Sequence, residues 1–233
     1  MSAPRVSMDE AEARAEGRRE AAPAALVTSL GYVLLALVSW ERGWNLVGMP
    51  WWAWLAVAVP VLLLTVDLWM TYGGAGLVRS RNAALALLGL LVLGNIVALG
   101  ILVDGLVTTR SADLGGGELL LTAFAIYTTN VVVFGLLFWE LDAGGPALRL
   151  QQRERTPSDL LFPQDEGSGP DPRRWRPQAW DYLYVSLTNS IAFSPTDTMP
   201  LTVRAKLVMG LESAISAVTI LLVAARAVNV LGT

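Results

Sequence analysis

The chain has 233 residues, of which 54% are hydrophobic and 16% are charged, and its formal net charge is −3. Soluble domains carry about 25% charged residues, so this composition indicates a membrane protein, and the negative charge argues against a nucleic-acid binder. The absence of cysteine and histidine excludes disulfides, the usual zinc sites and catalytic Ser-His-Asp or Cys-His groups. We therefore expect no enzyme, no metal site and no cofactor.

The first 22 residues are rich in Ala, Glu and Arg. Ser7 and Glu10 have the spacing of a capping box, which predicts a short surface helix that ends before Pro23. The segment does not have the pattern of a cleavable signal peptide, because its polar part is long and no cleavage site follows the first apolar run. We expect 1–22 to be a cytoplasmic N-terminal segment.

Five apolar segments follow, each close to the ~20 residues that cross the hydrocarbon core as a helix. They cover about 24–40, 51–70, 83–103, 118–139 and 207–225. The predicted fold is an all-α membrane protein with about five transmembrane helices, four of them within 23–139, and Pro60 predicts a kink in the second. Tryptophans cluster near the first connection, which favours an interfacial aromatic belt over core packing: Trp40, Trp44, Trp51, Trp52 and Trp54.

Residues 140–180 are rich in Pro, Gly and charge, which predicts a polar, irregular connector before the last span. Its apolar residues would attach it to the protein or to the lipid surface: Leu160, Leu161, Phe162 and Trp175. If all five spans cross, every Lys and Arg except Arg42, Arg110 and Arg226 falls on one side. The positive-inside rule then predicts a multi-pass protein of the cell membrane, with the N-terminus and the connector in the cytoplasm.

The final region, 181–233, contains the stretch YLYVSLTNSIAFSPTDTMPLTVRAK, which is too polar to cross a bilayer and too apolar for an ordinary loop. A helical pattern from Tyr182 to Asn189 precedes Pro195 and Pro200, which interrupt helices. We predict a half-helix, an irregular FSPTD segment and a turn into the last span. Such a stretch either re-enters the membrane, as in channels and transporters, or lies flat at the interface with Tyr182 and Tyr184 as anchors.

The last span has two distinct faces at 100° per residue. The small face, which allows close helix packing, carries Gly210, Ala214, Ala217 and Ala224, and the polar face carries Glu212, Ser216, Thr219 and Arg226. A carboxylate inside a span indicates a functional site. The alternatives for Glu212 are an ion pair with Arg204 or another cation, or a polar packing contact.

Four further polar residues lie within the predicted spans: Asp67, Asn95, Asn130 and Glu140. The two asparagines are central and are predicted to form hydrogen bonds between helices. Asp67, Glu140, Asp197 and Glu212 lie at similar predicted depth, as in a cation-attracting vestibule. For Asp67 and Glu140 we favour a simpler interpretation, in which they mark the interface and pair with Arg79 or Arg149.

The motifs WELDAGGP, WDYLYVSLTN and AFSPTD, followed by RAK and AARAVN, resemble a bacterial family of uncharacterised integral membrane proteins, a domain of unknown function. The resemblance covers the second half of the chain and implies no activity. The same stretch is more distantly similar to the pore-loop module of potassium-type channels, in which a pore helix precedes a filter and an inner helix. Asp197 and Pro200 fit that module, and Thr188 fits loosely.

The filter of potassium-type channels is absent, because the segment before Asp197 contains Pro195 and no glycine. Stacked filter carbonyls need a backbone that glycine permits, and proline fixes its own φ. The resemblance therefore implies a pore-like layout without potassium selectivity. The predicted cytoplasmic side of the loop is a second departure from those channels.

The leading hypothesis is an oligomeric cation channel or conduit, whose partners are the lipid bilayer, further copies of the chain and an ion. The constriction would be lined by Ser186, Thr188, Asn189, Ser194, Thr196 and Asp197, and the path beyond it by Glu212, Ser216 and Thr219. The alternative is a non-conducting structural or accessory membrane protein whose re-entrant segment packs or docks. A transporter would be supported by pseudo-symmetric halves, and the sequence contains no such repeat.

Overall fold

The computed structural model describes residues 29–43, 50–55, 58–59, 62, 81–107, 116–145, 149, 158–167, 175–194 and 197–231. Its helices are α1 (29–42), α2 (Arg81–Val107), α3 (Gly116–Leu141), α4 (Ala179–Ala192) and α5 (Val203–Leu231). The described elements also include two short strands, β1 (Leu160–Leu161) and β2 (Met199–Pro200), and two 3-10 turns, Asp142–Gly144 and Pro163–Glu166. The described chain is predominantly helical, in agreement with the predicted all-α class.

Two helices are long and apolar enough to cross a membrane, at Leu119–Gly144 and Val203–Ala225. They correspond to the fourth and fifth predicted spans. A shorter apolar helix, Leu88–Asp104, lies within the third. Of the second predicted span the structure describes 51–55, 58–59 and 62, all helical, while Pro60 and Asp67 lie outside the described residues, as does 1–22. Five complete spans therefore remain a prediction.

Helix α3 lies at the centre of the described bundle, in contact with α2, α4 and α5. Its side chains Phe134, Phe138 and Trp139 are fully buried. At Gly135 the helix α4 approaches so closely that a Cβ atom would lie 2.7 Å from Leu183 Cδ2 and 3.0 Å from Leu183 Cα. Only glycine leaves room for this approach, so Gly135 determines how closely the half-helix packs on α3.

Part of the connector is ordered against the bundle, although the sequence predicted it to be irregular. Strand β1 pairs with β2 in antiparallel fashion, with Leu160 opposite Pro200 and Leu161 opposite Met199. Phe162 is buried, and its ring lies 5.3 Å from the Tyr182 ring, edge to face, and 5.4 Å from the Trp175 ring. The apolar residues of the connector therefore contact the protein and tie the connector to the α4–α5 segment.

The tryptophan cluster divides between surface and core. Trp40, Trp51 and Trp52 are exposed, as an interfacial belt requires, but Trp54 is buried and stacks on Tyr32 with 6.4 Å between ring centroids. The core interpretation is therefore the right one for Trp54. Trp44 lies outside the described residues.

Candidate functional site

The predicted half-helix is α4, and it extends beyond the predicted residues at both ends. At its start the Asp181 carboxylate accepts a hydrogen bond from the backbone N–H of Gln178, at 2.7 Å, which satisfies a helix-terminal donor. At its end Phe193 adopts φ +55°. Residues that take this left-handed conformation after a helix are usually glycine or asparagine. The chain thus leaves the helix directly before Pro195, which itself lies outside the described residues.

Glu212 on α5 is completely buried and faces α4. Its Oε1 contacts Ser186 Oγ, and its Oε2 accepts a hydrogen bond from Asn189 Nδ2 at 2.7 Å. Asn189 Nδ2 also donates to the Met209 carbonyl at 3.0 Å, and Ser186 Oγ lies 2.7 Å from the Val131 carbonyl of α3. The Glu212 carboxyl group therefore connects α5 to α4 directly, and to α3 through Ser186.

Asn130 of α3 completes this buried cluster from the opposite side. Its Nδ2 donates to Ser216 Oγ at 2.9 Å and to the Glu212 carbonyl at 3.3 Å. Asn95 of α2 donates to Asn130 Oδ1 at 3.5 Å, so the interhelical hydrogen bonds predicted for both asparagines are present. We call the buried cluster the helix-core network and define it as Asn130, Ser186, Asn189, Glu212 and Ser216.

The residues predicted to line a pore fall into two groups. Ser186, Asn189, Glu212, Ser216 and Thr219 are buried within the chain, and Thr219 donates to its own helix at the Ile215 carbonyl. Ser194 and Asp197 are exposed on the loop after α4, and Thr196 lies outside the described residues. Thr188 donates to the carbonyls of Tyr184 and Val185 in its own helix.

The small face of α5 is largely exposed in the described part of the chain. Gly210 and Ala214 are exposed and Ala217 is half-buried. A Cβ atom added at Gly210 would meet nothing within 4 Å. The close packing predicted for this face therefore has no partner among the described residues of the same chain.

A second buried carboxyl group, which the sequence analysis did not single out, holds the connector. Oδ1 of Asp142 accepts hydrogen bonds from the backbone N–H groups of Asp159 at 2.7 Å and Leu160 at 3.1 Å. Ser158 Oγ lies 2.8 Å from the same oxygen, and Oδ2 accepts from the Tyr182 hydroxyl at 2.6 Å. The residue lies in the motif WELDAGGP, but its partners are 16 to 40 residues away, so no local spacing signals the contact.

An ion pair extends this arrangement to the start of α5. Arg204 Nε donates to Asp159 Oδ1 at 2.6 Å, its second nitrogen contacts Oδ2, and Thr202 Oγ1 donates to Oδ1 at 2.5 Å. Burial acts to raise the pKa of Asp159, but the hydrogen bonds from Arg204 and Thr202 outweigh it and hold that pKa below its ordinary value. The proposed pairing of Arg204 with Glu212 is thus wrong. We call Asp142, Ser158, Asp159, Tyr182 and Arg204 the connector clasp.

No protein-family model matches this chain, and neither a curated protein nor a solved structure matches it. The functional interpretation therefore depends on the two buried clusters and on the exposed loop between α4 and α5.

Proposed function

We propose that the chain is a multi-pass membrane protein in which α4 and the following loop form a pore-loop-like module, and that an oligomer of this module conducts cations. The observation that carries the proposal is the contrast between the two sides of the module. The buried side of α4 is held by the helix-core network, while Ser194 and Asp197 on the loop are exposed. A pore loop needs a rigid half-helix and a polar segment that meets water.

The electrostatics of the loop favour cations. The C-terminal end of an α-helix carries partial negative charge from its unpaired carbonyl groups, and α4 ends at Ala192, directly before the loop. The exposed Asp197 carboxylate adds a full negative charge a few residues later. Both charges would lower the energy of a cation at this position.

The proposal gives the predicted pore residues different tasks. Ser194 and Asp197, with Thr196, would contact the ion, because they belong to the loop. Glu212 and the other members of the helix-core network would support the half-helix from behind, because they are buried in one subunit. Further copies of the chain would pack on apolar side chains that α4 and α5 leave exposed, among them Leu187, Ile191, Leu207 and Leu211, and on Phe193 directly after α4.

The proposal includes the predicted five spans, with the N-terminus and connector in the cytoplasm. It is tested with purified protein in liposomes, by cation flux and by the oligomeric state in detergent. We expect Asp197→Asn to reduce flux about fivefold, since one charge close to an ion in water is worth about 1 kcal/mol. Glu166→Gln, which removes an exposed carboxylate from the connector, is the matched control and should leave flux unchanged. A folded oligomer without flux would contradict the proposal.

The second candidate is a non-conducting membrane protein in which α4 is a packing element. It is favoured by the burial of Ser186, Asn189 and Glu212, whose polar atoms are hydrogen-bonded inside one subunit. Because the chain has no cysteine, Ser194→Cys introduces a single thiol that separates the two candidates. Reaction of this thiol with a membrane-impermeant reagent should block flux in a conduit, whereas the second candidate has no flux to block.

A further inference from the structure

If Glu212 is ionised, the hydrogen bonds around its carboxyl group need one hydrogen more than the donors Ser186 and Asn189 can supply. A serine hydroxyl has a single hydrogen to donate, and Ser186 Oγ lies within hydrogen-bond distance of both the Val131 carbonyl and Glu212 Oε1. The carbonyl and an ionised carboxylate can both only accept, so with an ionised Glu212 one of these two contacts would have no hydrogen. Both contacts are hydrogen bonds only if Glu212 supplies a second hydrogen, which it donates to Ser186 Oγ while Ser186 donates to the Val131 carbonyl.

The other oxygen of Glu212 fixes where that hydrogen resides. Asn189 Nδ2 has two hydrogens, and its two acceptors are the Met209 carbonyl and Glu212 Oε2. The reverse orientation of the amide would place its oxygen against the Met209 carbonyl, so the assignment is unambiguous. Glu212 Oε2 is an acceptor, which leaves Oε1 as the oxygen that carries the proton.

No described cation faces Glu212 from the helices that pack around it. On those helices Tyr127 bonds to Ser190, Tyr182 donates to Asp142, and Arg204 pairs with Asp159. Of the other titratable side chains that the structure describes on α2 to α5, Lys206 is exposed, and the rest carry no positive charge; they are Asp104, Glu140, Asp181 and Tyr184. A buried carboxylate without a charged partner is costly, and a neutral carboxylic acid avoids that cost.

We propose that Glu212 is a proton-binding site, at which the folded protein holds one proton on Oε1 at neutral pH in a chain from Glu212 through Ser186 to the Val131 carbonyl. This site is independent of conduction, because the hydrogen-bond inventory is the same whether or not the loop passes ions. In the unfolded chain a glutamate is ionised at neutral pH. Folding therefore takes up a proton, and the site's contribution to stability declines as pH rises.

The proposal also assigns a consequence to loss of the proton. Deprotonation leaves a buried negative charge, and the single Ser186 hydrogen can then bond to Glu212 Oε1 or to the Val131 carbonyl but not to both. Ser186 therefore loses its hydrogen bond to either α3 or α5, and the loop that carries Ser194 begins at the end of α4. Alkaline pH should therefore loosen the half-helix before the connector clasp, which contains no such proton.

The test is infrared difference spectroscopy of the full-length protein in lipid, between neutral and alkaline pH. The wild type should show the C=O band of a protonated carboxylic acid that disappears in alkali. Glu212→Gln should lack this band, since its amide can donate to Ser186 and accept from Asn189 in the same geometry. Asp197→Asn, which changes an exposed carboxyl group, is the control and should keep the band. A wild type without the band, or a Glu212→Gln protein that retains it, would overturn the proposal.

A second variant keeps the test decisive if Glu212→Gln does not fold. Ser186→Ala removes the acceptor of the Glu212 proton, so the carboxylic acid band should move to higher frequency. An unchanged band position in this variant would overturn the assignment. The thermal unfolding midpoint gives an independent readout: it should fall between neutral and alkaline pH in the wild type, and by less in Glu212→Gln.

Discussion

Asp142 and Glu212 are both buried carboxyl groups that contact α4, and the groups around them differ. Asp142 lies at the end of α3, next to a connector whose backbone N–H groups point at it, and it also accepts from the Tyr182 hydroxyl. Arg149 lies close by, 5.1 Å from the Tyr182 ring centroid. Glu212 lies between helices, where its carboxyl group contacts the Ser186 hydroxyl and the Asn189 amide. Asp142 thus has backbone N–H donors that can satisfy a negative charge, whereas the described contacts of the Glu212 carboxyl group are to side chains, and in the proposal above Glu212 is a neutral acid.

The difference has a physical origin in the backbone. Within a helix the N–H groups already bond to carbonyls one turn away, so a side chain between helices finds only other side chains as donors. At a helix end or in a loop, backbone N–H groups remain available and can satisfy a negative charge. Burial alone therefore does not decide the charge of a carboxyl group; the number of available donors does.

The largest expected effect comes from removing the charge at Asp142. In Asp142→Asn the amide nitrogen must face either two backbone N–H groups or the Tyr182 hydroxyl, so at least one donor loses its acceptor. Since hydrogen bonds to charged groups contribute about 1.5–3 kcal/mol each, we expect the free energy of unfolding to fall by about 3 kcal/mol. Chemical denaturation of the protein in detergent measures this change.

Glu212→Gln is the matched amide substitution and should cost less than about 1 kcal/mol at neutral pH, because the amide reproduces the hydrogen positions of the neutral acid. If Asp142→Asn and Glu212→Gln lowered the free energy of unfolding equally, the proposed difference in charge between the two carboxyl groups would be contradicted. A larger loss for Glu212→Gln would indicate that Glu212 is the charged one.

The next effect is expected at Gly135, where α3 and α4 approach most closely. In Gly135→Ala the new methyl group meets the backbone of Leu183 as well as its side chain, so α4 must shift away from α3. We expect a loss of about 2 kcal/mol, the usual cost of overpacking. The shift should also lengthen the contact between Ser186 and Val131 and so weaken the Glu212 site.

Gly94→Ala provides the control for this substitution. Gly94 lies in α2, and a Cβ atom there meets nothing within 4 Å. Alanine has the higher helix propensity by up to about 1 kcal/mol, so this variant should be neutral or more stable. If Gly135→Ala behaved in the same way, the close approach of α4 would not limit the packing.

The sequence predicted the half-helix because helical periodicity and the positions of proline are local signals. The central asparagines were predicted for the same reason, since polar residues inside apolar segments must find partners. Glu212 was recognised as unusual, but its partners were not identified: Ser186 and Asn189 lie 26 and 23 residues away. Helical phase predicted that the polar face of the last span turns away from lipid, and it could not distinguish a protein partner from water.

The connector clasp was not predicted because it depends on a fold-back of the chain. Asp159 and Arg204 are separated by 45 residues, and the two-residue strands that bring them together are too short to give an alternating pattern. The proline, glycine and charged residues of the connector predicted an irregular loop, as this composition usually does, whereas Leu160 and Leu161 form a strand. The signal that was present is the apolar run Leu160 to Phe162, which a solvated loop would not need.

The smallest effect concerns pH, and it should have opposite signs at the two clusters. The pKa of Asp159 is lowered in the folded protein, so its ion pair stabilises the fold above the ordinary aspartate value of about 4. This contribution declines as pH falls through the lowered pKa. The Glu212 site instead loses stability as pH rises. The protein should therefore be most stable between the two ranges, with acid opening the connector clasp and alkali loosening the helix-core network.

Arg204→Gln tests the acid side of this comparison. The arginine side chain is 50% exposed while that of Asp159 is 3% exposed, so solvent screens the pair and we expect a loss of about 1 kcal/mol at neutral pH. The variant should lose less further stability than the wild type between neutral and acidic pH, because Asp159 no longer has its charged partner. Arg176→Gln, at an exposed position of the connector, should keep the acid dependence of the wild type. Parallel acid profiles for Arg204→Gln and the wild type would show that the Asp159 ion pair does not determine acid stability, and the two clusters would then differ only on the alkaline side.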